Sequence, residues 1–425
     1  MQPEDSRIVV PVAPNLVLLP AVASHAASDV QAHDGELSIL GLGLVRRTVM
    51  AARRAGYGQI FFLARDHAAP SASTATIPDW NTLAEALVRS RPAPLVIAPA
   101  TILSEANWLE RLAAMQIEPA AWAGIPNRIV VLAATAVSDG LAMLDAEGGA
   151  YEITAVQDRL TRRFGSAAAI PIEVDPLVVL TLEDIRAAER RLLRGLVKDT
   201  DGFMARHVDR RISLQISRRL APTAITPTQV TMISVAIGVC AAPFFLSAFW
   251  AWQTVGGLLF LAHSIVDGCD GELARLKFQE SRYGGVIDFW GDNVVHVAIF
   301  ACMAIGWALS SGATWPLWLG AAAMVGTMGS AGFVYWRQMR AKDGSGPLFT
   351  SVSAAPNDRL TRMLDAASRR DFIYLVPVLG LFGKANWLLP LAAAGAPIFF
   401  FSLVFLAVRE RLRGTATRSG YLIAD

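Results

Sequence analysis

The sequence predicts a two-part protein: an α/β, Rossmann-like domain, then an α-helical integral-membrane domain of six transmembrane helices. Three observations predict it. The 425-residue chain is 53% hydrophobic with 11 Trp, but membrane-length apolar runs dominate only after about residue 225, and the chain before it is mixed and charged. Within the first 180 residues, short apolar runs alternate with helical patterns. At residues 267–292, carboxylates at helical spacing interrupt the apolar stretch.

Residues 1–181 form the expected cytosolic α/β domain. Leu16–Leu19, Ile60–Leu63, Leu95–Ala98 and Ile129–Leu132 read as buried strands, with helical patterns at Leu44–Ala55, Trp80–Arg89 and Ala106–Met115 between them. This alternation predicts a parallel sheet with crossover helices. Gly41-x-Gly43 precedes a helix but lacks the third glycine of a dinucleotide fingerprint. Arg46 and Arg47 follow it; solvated charges are the expected role, with phosphate binding the alternative.

Residues 182–224 are the expected linker. From Leu182 to Leu220 the chain opens on Glu183-Asp184 and continues with arginines among apolar residues, a helical pattern whose later half reads as an amphipathic helix on the membrane surface. Pro227, in the first turn, opens the first span.

Residues 225–425 hold the spans: about Gln229–Ala248, Trp250–Leu276, Gly284–Leu309 and Trp315–Trp336, and two sharing Ala366–Val408 with a break near Gly383-Lys384-Ala385-Asn386. Basic residues test that count. Lys277, Arg282, Arg337, Arg340, Lys342, Arg359, Arg362, Arg369, Arg370 and the tail arginines all fall on one side, leaving Lys384 opposite. The expectation is a multi-pass cytoplasmic-membrane protein with both termini, and the carboxylate end of the second and third spans, in the cytoplasm. The net charge of +2 adds nothing, and Cys240, Cys269 and Cys302 have no disulfide spacing and read as small core residues. The N-terminus, broken by Pro11, Pro14 and Pro20, does not read as a signal peptide.

The carboxylates carry the chemistry. One acidic charge at a helix centre in lipid costs roughly 2.5–3.5 kcal/mol, so four would cost on the order of 10 kcal/mol without compensation. Asp267, Asp270, Gly271 and Ala274 stand at i, i+3, i+4 and i+7 and share a helix face; Gly284, Asp288 and Asp292 repeat at i+4 on the next helix. A polar turn between them would bring the carboxylates to one end of an antiparallel pair. Oxygen-only ligands suit Mg²⁺, Mn²⁺ or Ca²⁺ and not zinc. Arg275 can counter a phosphate. His263 and His296 flank the motif and read as packed or hydrogen-bonding residues rather than ligands. Displacement at phosphorus fits such a site, and a metal-ion transporter without transferase activity is the rival reading.

The string Asp267-x-x-Asp270-Gly271-x-x-Ala274-Arg275-(eight residues)-Gly284-x-x-x-Asp288-x-x-x-Asp292 resembles, position for position, the motif of the CDP-alcohol phosphatidyltransferase family. The resemblance implies transfer of a substituted phosphate from a CDP-linked alcohol, CDP-diacylglycerol or a CDP-polyol, to a hydroxyl of a polyol or polyol phosphate, with release of CMP, as in phospholipid biosynthesis. It implies two divalent ions, Mg²⁺ or Mn²⁺, held by Asp267, Asp270, Asp288 and Asp292, with Asp292 also as general base. It implies a CDP cradle of Asp267, Asp270, Gly271, Ala274, Arg275 and Gly284, and a homodimer. Arg337, Arg340, Arg369 and Arg370 would suit an acceptor phosphate, although each also fits plain positive-inside charge. No nucleic-acid partner is expected.

The first domain resembles the sugar-phosphate nucleotidyltransferases in "LSILGLGLVRRTVMAARRAGYGQIFFLARD" and "PLVIAPATILSEANWLERLAA". With Asp199-x-Asp201-Gly202 before the spans, the chain looks like fusions of an inositol-phosphate cytidylyltransferase with a di-myo-inositol-phosphate-phosphate synthase. The glycine-rich loop of those enzymes is missing after Leu19-Pro20, and Ala100-Thr101 stand where their metal-binding aspartate is expected. An inactive, nucleotidyltransferase-like domain is the expectation.

Overall fold

A computed structural model describes residues 13–20, 37–63, 74–117, 120–146, 151–170, 176–197, 204–340 and 370–420. The chain divides into two compact units at Leu192/Leu193. The segment after Pro20 and the Asp199-x-Asp201-Gly202 stretch lie outside the described residues.

The first unit contains β1 (Asn15–Leu19), β2 (Ser38–Ile39), β3 (Leu42–Gly43), α1 (Leu44–Arg54), β4 (Ile60–Leu63), β5 (Ala75–Ile77) and α2 (Trp80–Val88). It continues with β6 (Leu95–Pro99), β7 (Ile102–Leu103), α3 (Ala106–Ala113), β8 (Trp122–Ile125) and β9 (Ile129–Leu132). Then come α4 (Val137–Ala146), α5 (Ile153–Phe164), β10 (Ala168–Ala169), β11 (Leu177–Val178) and α6 (Leu182–Arg194). The main sheet has the order β10-β8-β9-β6-β1-β4-β5. β1, β4 and β9 are buried along their whole length, as continuous apolar runs require when both faces are covered. Val17, Leu63, Ile97, Trp80, Leu132 and Leu160 lie in the core between sheet and helices.

The expectation of an all-parallel sheet is corrected at β9, which runs antiparallel to both β6 and β8. The reason is β8, a strand absent from the sequence reading. Only residues 126–128 separate it from β9, with Asn127 in the left-handed region at φ 58°. So short a connection joins strands only as a hairpin, because a parallel crossover needs a dozen or more residues.

Arg47 is also corrected. Arg46 is exposed as expected, but Arg47 is buried, and its Nη2 donates to Ile39 O at 2.9 Å. Burial pulls its guanidinium down to about 10. Ala100 and Thr101 are buried in the turn between β6 and β7.

The second unit opens with a π-helical turn, Ala205–Asp209, running into α7 (Arg210–Leu220). α8 (Pro227–Ala241) starts at a reciprocal cap: Thr226 Oγ1 accepts from Gln229 N at 3.3 Å, and Thr226 N donates to Gln229 Oε1 at 2.9 Å. A 3₁₀ segment, Ala242–Leu246, extends it. α9 (Trp250–Lys277) ends where Phe278 takes a left-handed conformation, and α10 (Arg282–Ser311) begins at Ser281, whose Oγ accepts from Gly284 N at 2.9 Å. α11 (Trp315–Arg340), α12 (Leu375–Leu381) and α13 (Leu388–Gly420) follow, with 3₁₀ turns at Arg370–Tyr374 and Ala385–Trp387.

Among the described residues, four segments are long and apolar enough to cross a membrane: Pro227–Leu246, Arg282–Ser311, Trp315–Arg337 and Ala385–Arg409. Two of the six expected spans fall outside that set for different reasons. α9 has 28 residues, ample at about 1.5 Å per residue, but its second half carries Asp267, Asp270, Glu272, Arg275 and Lys277. The expected fifth span is described only from Arg370, and its apolar helical part, Phe372–Leu381, is short. Cys269 is buried as read, but Cys240 is exposed and Cys302 only half-buried; α8 is apolar around its circumference, so a small residue there need not face the core.

Helices pack closely where glycine permits. A Cβ on Gly238 of α8 would stand 2.5 Å from Val295 Cγ1 of α10, and one on Gly257 of α9 would stand 2.6 Å from Pro377 Cα of α12. Those contacts put α8, α9 and α10 side by side, with Phe260, Val295 and Ile299 in the core.

Candidate active site

The site forms where α9 and α10 lie antiparallel. α9 carries Asp267 and Asp270, both buried, and α10 carries Asp288 and Asp292, both half-buried. Carboxylate oxygens of Asp267, Asp270 and Asp288 lie within 4.8 Å of one another. Three carboxylates at that separation repel one another strongly unless a cation or protons intervene, and the donor set is oxygen only. The residues present therefore fit a hard divalent cation.

Asp292 stands outside that group of three. Its Oδ1 is 3.3 Å from His263 Nε2, a contact from one turn before Asp267 on α9. His263 and His296 pack and hydrogen-bond, as read: His263 Nδ1 meets Ser234 O at 2.8 Å, and His296 Nδ1 meets Asp292 O at 2.8 Å.

α8 supplies polar groups that sequence reasoning missed. Thr231 Oγ1 donates to Asp270 Oδ2 in a short hydrogen bond. Ser234 Oγ lies 3.5 Å from Asp267 Oδ1 and 2.8 Å from Thr231 O. Thr231 and Ser234 are i and i+3 on α8, polar positions beyond the capped first turn of an apolar helix, which is the signal that could have found them. α7 reaches the motif as well: the fully buried Glu272 accepts from Arg210 Nη1 at 2.7 Å, Ser213 Oγ at 2.7 Å and Ser217 Oγ at 2.6 Å. The inward face of the amphipathic segment is thus a serine face. Lys277 Nζ donates to Thr223 O and Ile225 O, both at 2.7 Å, tying the end of α9 to the turn before α8.

The remaining motif residues are placed as follows. Gly271 and Ala274 are half-buried on α9, and Gly271 leaves Arg275 Nη1 in ordinary contact range, 3.5 Å from where a Cβ would be. Arg275 is half-buried, and its Nε has no hydrogen-bond partner among the described residues. Gly284 lies in the first turn of α10, where a Cβ would press on Ser281 Oγ at 2.9 Å. Arg337 and Arg340 fall in the last turns of α11, and Arg370 opens the 3₁₀ turn before α12. Arg369 lies outside the described residues.

Residues 224–356 match the model of the CDP-alcohol phosphatidyltransferase family. The bifunctional IPC transferase and DIPP synthase of Thermococcus kodakarensis is 38% identical over 125 residues, 29% of this chain and 28% of that protein. The phosphatidylinositol phosphate synthase of Mycobacteroides abscessus is 30% identical over 115 residues, 26% of this chain and 51% of that protein. The chain spans between a quarter and a third of the length of the bifunctional relatives it matches, from 25% to 32%. The Mycobacterium tuberculosis phosphatidylinositol phosphate synthase with CDP-DAG bound aligns at a TM-score of 0.32 and 20% identity, covering 46% of this chain and 93% of that one. The matched segment, residues 224–356, contains all eight motif positions, from Asp267 to Asp292.

Proposed function

We propose that this protein is an integral-membrane CDP-alcohol phosphotransferase. The observation that carries the reading is the convergence of Asp267, Asp270 and Asp288 from two helices inside a domain of that family. In the proposed reaction a hydroxyl oxygen of a polyol or polyol phosphate forms a bond to the phosphorus attached to the donor alcohol. The bond from that phosphorus to the CMP oxygen breaks, and CMP leaves. Two divalent ions, Mg²⁺ or Mn²⁺, supply charge neutralisation on the diphosphate when bound. Asp267, Asp270 and Asp288 would hold them, with Asp292 at the edge of the cluster.

The chain's own residues do the rest. Asp292 takes the proton of the attacking hydroxyl: it is the last aspartate of the motif, one turn after Asp288 on α10, and a carboxylate there can serve as base. Gly271, Ala274 and Gly284 leave space for the CDP moiety, and Arg275 offers a guanidinium to its phosphates. Arg337, Arg340, Arg369 and Arg370 are proposed for the acceptor phosphate. Basic residues concentrated at the motif end favour an active site and termini in the cytoplasm, and the proposed architecture has six spans. A homodimer, and an inactive nucleotidyltransferase-like domain in residues 1–181, are proposed from the resemblance alone.

The test is mass spectrometry of products from purified protein and Mg²⁺, offered CDP-diacylglycerol or CDP-inositol with a panel of polyols and polyol phosphates. Release of CMP with a new phosphodiester in equal amount is expected. Metal binding without CMP release from any pair would overturn the reading in favour of a metal-ion transporter.

A further inference from the structure

We infer that His263 is a positioning residue for Asp292, holding one carboxylate oxygen so that the other is presented to the acceptor hydroxyl. This rests on the reading of Asp292 as the base. An aspartate on a helix has a broad terminal torsion, so its oxygens sweep an arc unless something holds them. Here something does. His263 Nε2 lies 3.3 Å from Asp292 Oδ1, and a carboxylate only accepts, so the bond is one in which Nε2–H donates and the ring carries a proton on both nitrogens.

The ring making that bond is itself fixed on every side. A carbonyl oxygen only accepts, so Nδ1–H donates to Ser234 O at 2.8 Å, anchoring the imidazole to α8. Phe260, one turn earlier, stacks on it with centroids 6.1 Å apart and planes 13° apart. Gly238 makes the room, since a Cβ there would lie 3.0 Å from His263 Cγ. The ring is 1% exposed, and both nitrogens are engaged. Asp292 is held from its own helix too, because His296 Nδ1 donates to its backbone oxygen at 2.8 Å. Its backbone and one carboxylate oxygen are thus both restrained, as a base needs when a misplacement near 1 Å costs about 100-fold in rate.

Three variants of the full-length protein separate positioning from packing. His263→Leu keeps the bulk and removes both bonds. His263→Asn keeps a donor only at the Ser234-facing position, whereas His263→Gln places an amide nitrogen near the position of Nε2. Turnover and KM for the CDP-alcohol would be measured by CMP release, and Mn²⁺ affinity by electron paramagnetic resonance titration. We expect kcat to fall about 100-fold in His263→Leu and His263→Asn, with unchanged KM and Mn²⁺ affinity, and His263→Gln to recover much of the loss. Wild-type kcat in His263→Leu overturns the inference. So does parallel loss of kcat, KM and Mn²⁺ affinity with no recovery in His263→Gln, which marks a packing role. A wild-type protein that releases no CMP instead removes the transferase reading on which the inference stands.

Discussion

Arg210 Nη1 lies 2.7 Å from Glu272 Oε1, so the helix before the first span is latched to the helix that carries the motif. Glu272 is fully buried, and Ser213 and Ser217 complete its acceptor set. A buried carboxylate survives only when its hydrogen-bonding capacity is met, and α7 meets it. Glu272→Ala leaves a largely buried guanidinium and two serines facing a void. The expected loss is about 3–5 kcal/mol, the usual result of removing one partner of a buried pair. Thermal unfolding of purified protein checks it; an unchanged midpoint would show that α7 is not held through Glu272.

Asp267→Asn, Asp270→Asn and Asp288→Asn should each lower turnover by at least about 100-fold, as loss of a main electrostatic stabiliser does. Chelation should stop CMP release, and Mg²⁺ or Mn²⁺ should restore it. Full activity in excess chelator would refute the metal reading.

Asp292→Asn separates chemistry from metal binding. With three carboxylates left in place, donor affinity at saturating Mg²⁺ should persist while turnover falls roughly 10²–10⁴-fold, because an amide takes no proton at neutral pH. Calorimetric donor affinity set beside the CMP-release rate makes the comparison. Near-wild-type turnover rules out Asp292 as base, and joint loss of binding and turnover makes it a metal ligand only.

Thr231→Val keeps the shape of the side chain and removes the proton donated to Asp270. Partners of a metal ligand typically matter about 10–100-fold in affinity, so Mn²⁺ should bind at least about 10-fold more weakly, with Thr231→Ser close to wild type. Equal affinity in the valine variant would show that the hydrogen bond does not orient the carboxylate.

The N-terminal domain should be silent in nucleotide transfer. Full-length protein given CTP and inositol phosphate is expected to form neither CDP-inositol nor pyrophosphate. Either product, detected by ³¹P NMR, would overturn the inactivity argued from Ala100-Thr101 and the missing glycine loop.

Periodicity along one helix was enough to bring Asp267 and Asp270 to one face of α9 and Asp288 and Asp292 to one face of α10, because about 100° per residue sets which side chains share a face whatever surrounds them. Unbroken apolar runs, equally local, marked β1, β4, β6 and β9 and the long apolar helices. It does not reach across elements. Thr231 and Asp270 are 39 residues apart, and His263 and Asp292 are 29 apart; their meeting depends on how closely α8, α9 and α10 pack, which Gly238 permits and no spacing rule encodes. Glu272 was visible as one more acid in an apolar stretch, but its partners come from α7, 55 to 62 residues earlier. The direction of β9 likewise turned on a hairpin partner, β8, whose Trp122–Ile125 contains Gly124 and so lacks the unbroken run of large apolar residues that marked β4 and β9. Sequence spacing determined which groups each element would offer; packing between elements decided that three carboxylates meet as a cluster and that the fourth meets a histidine.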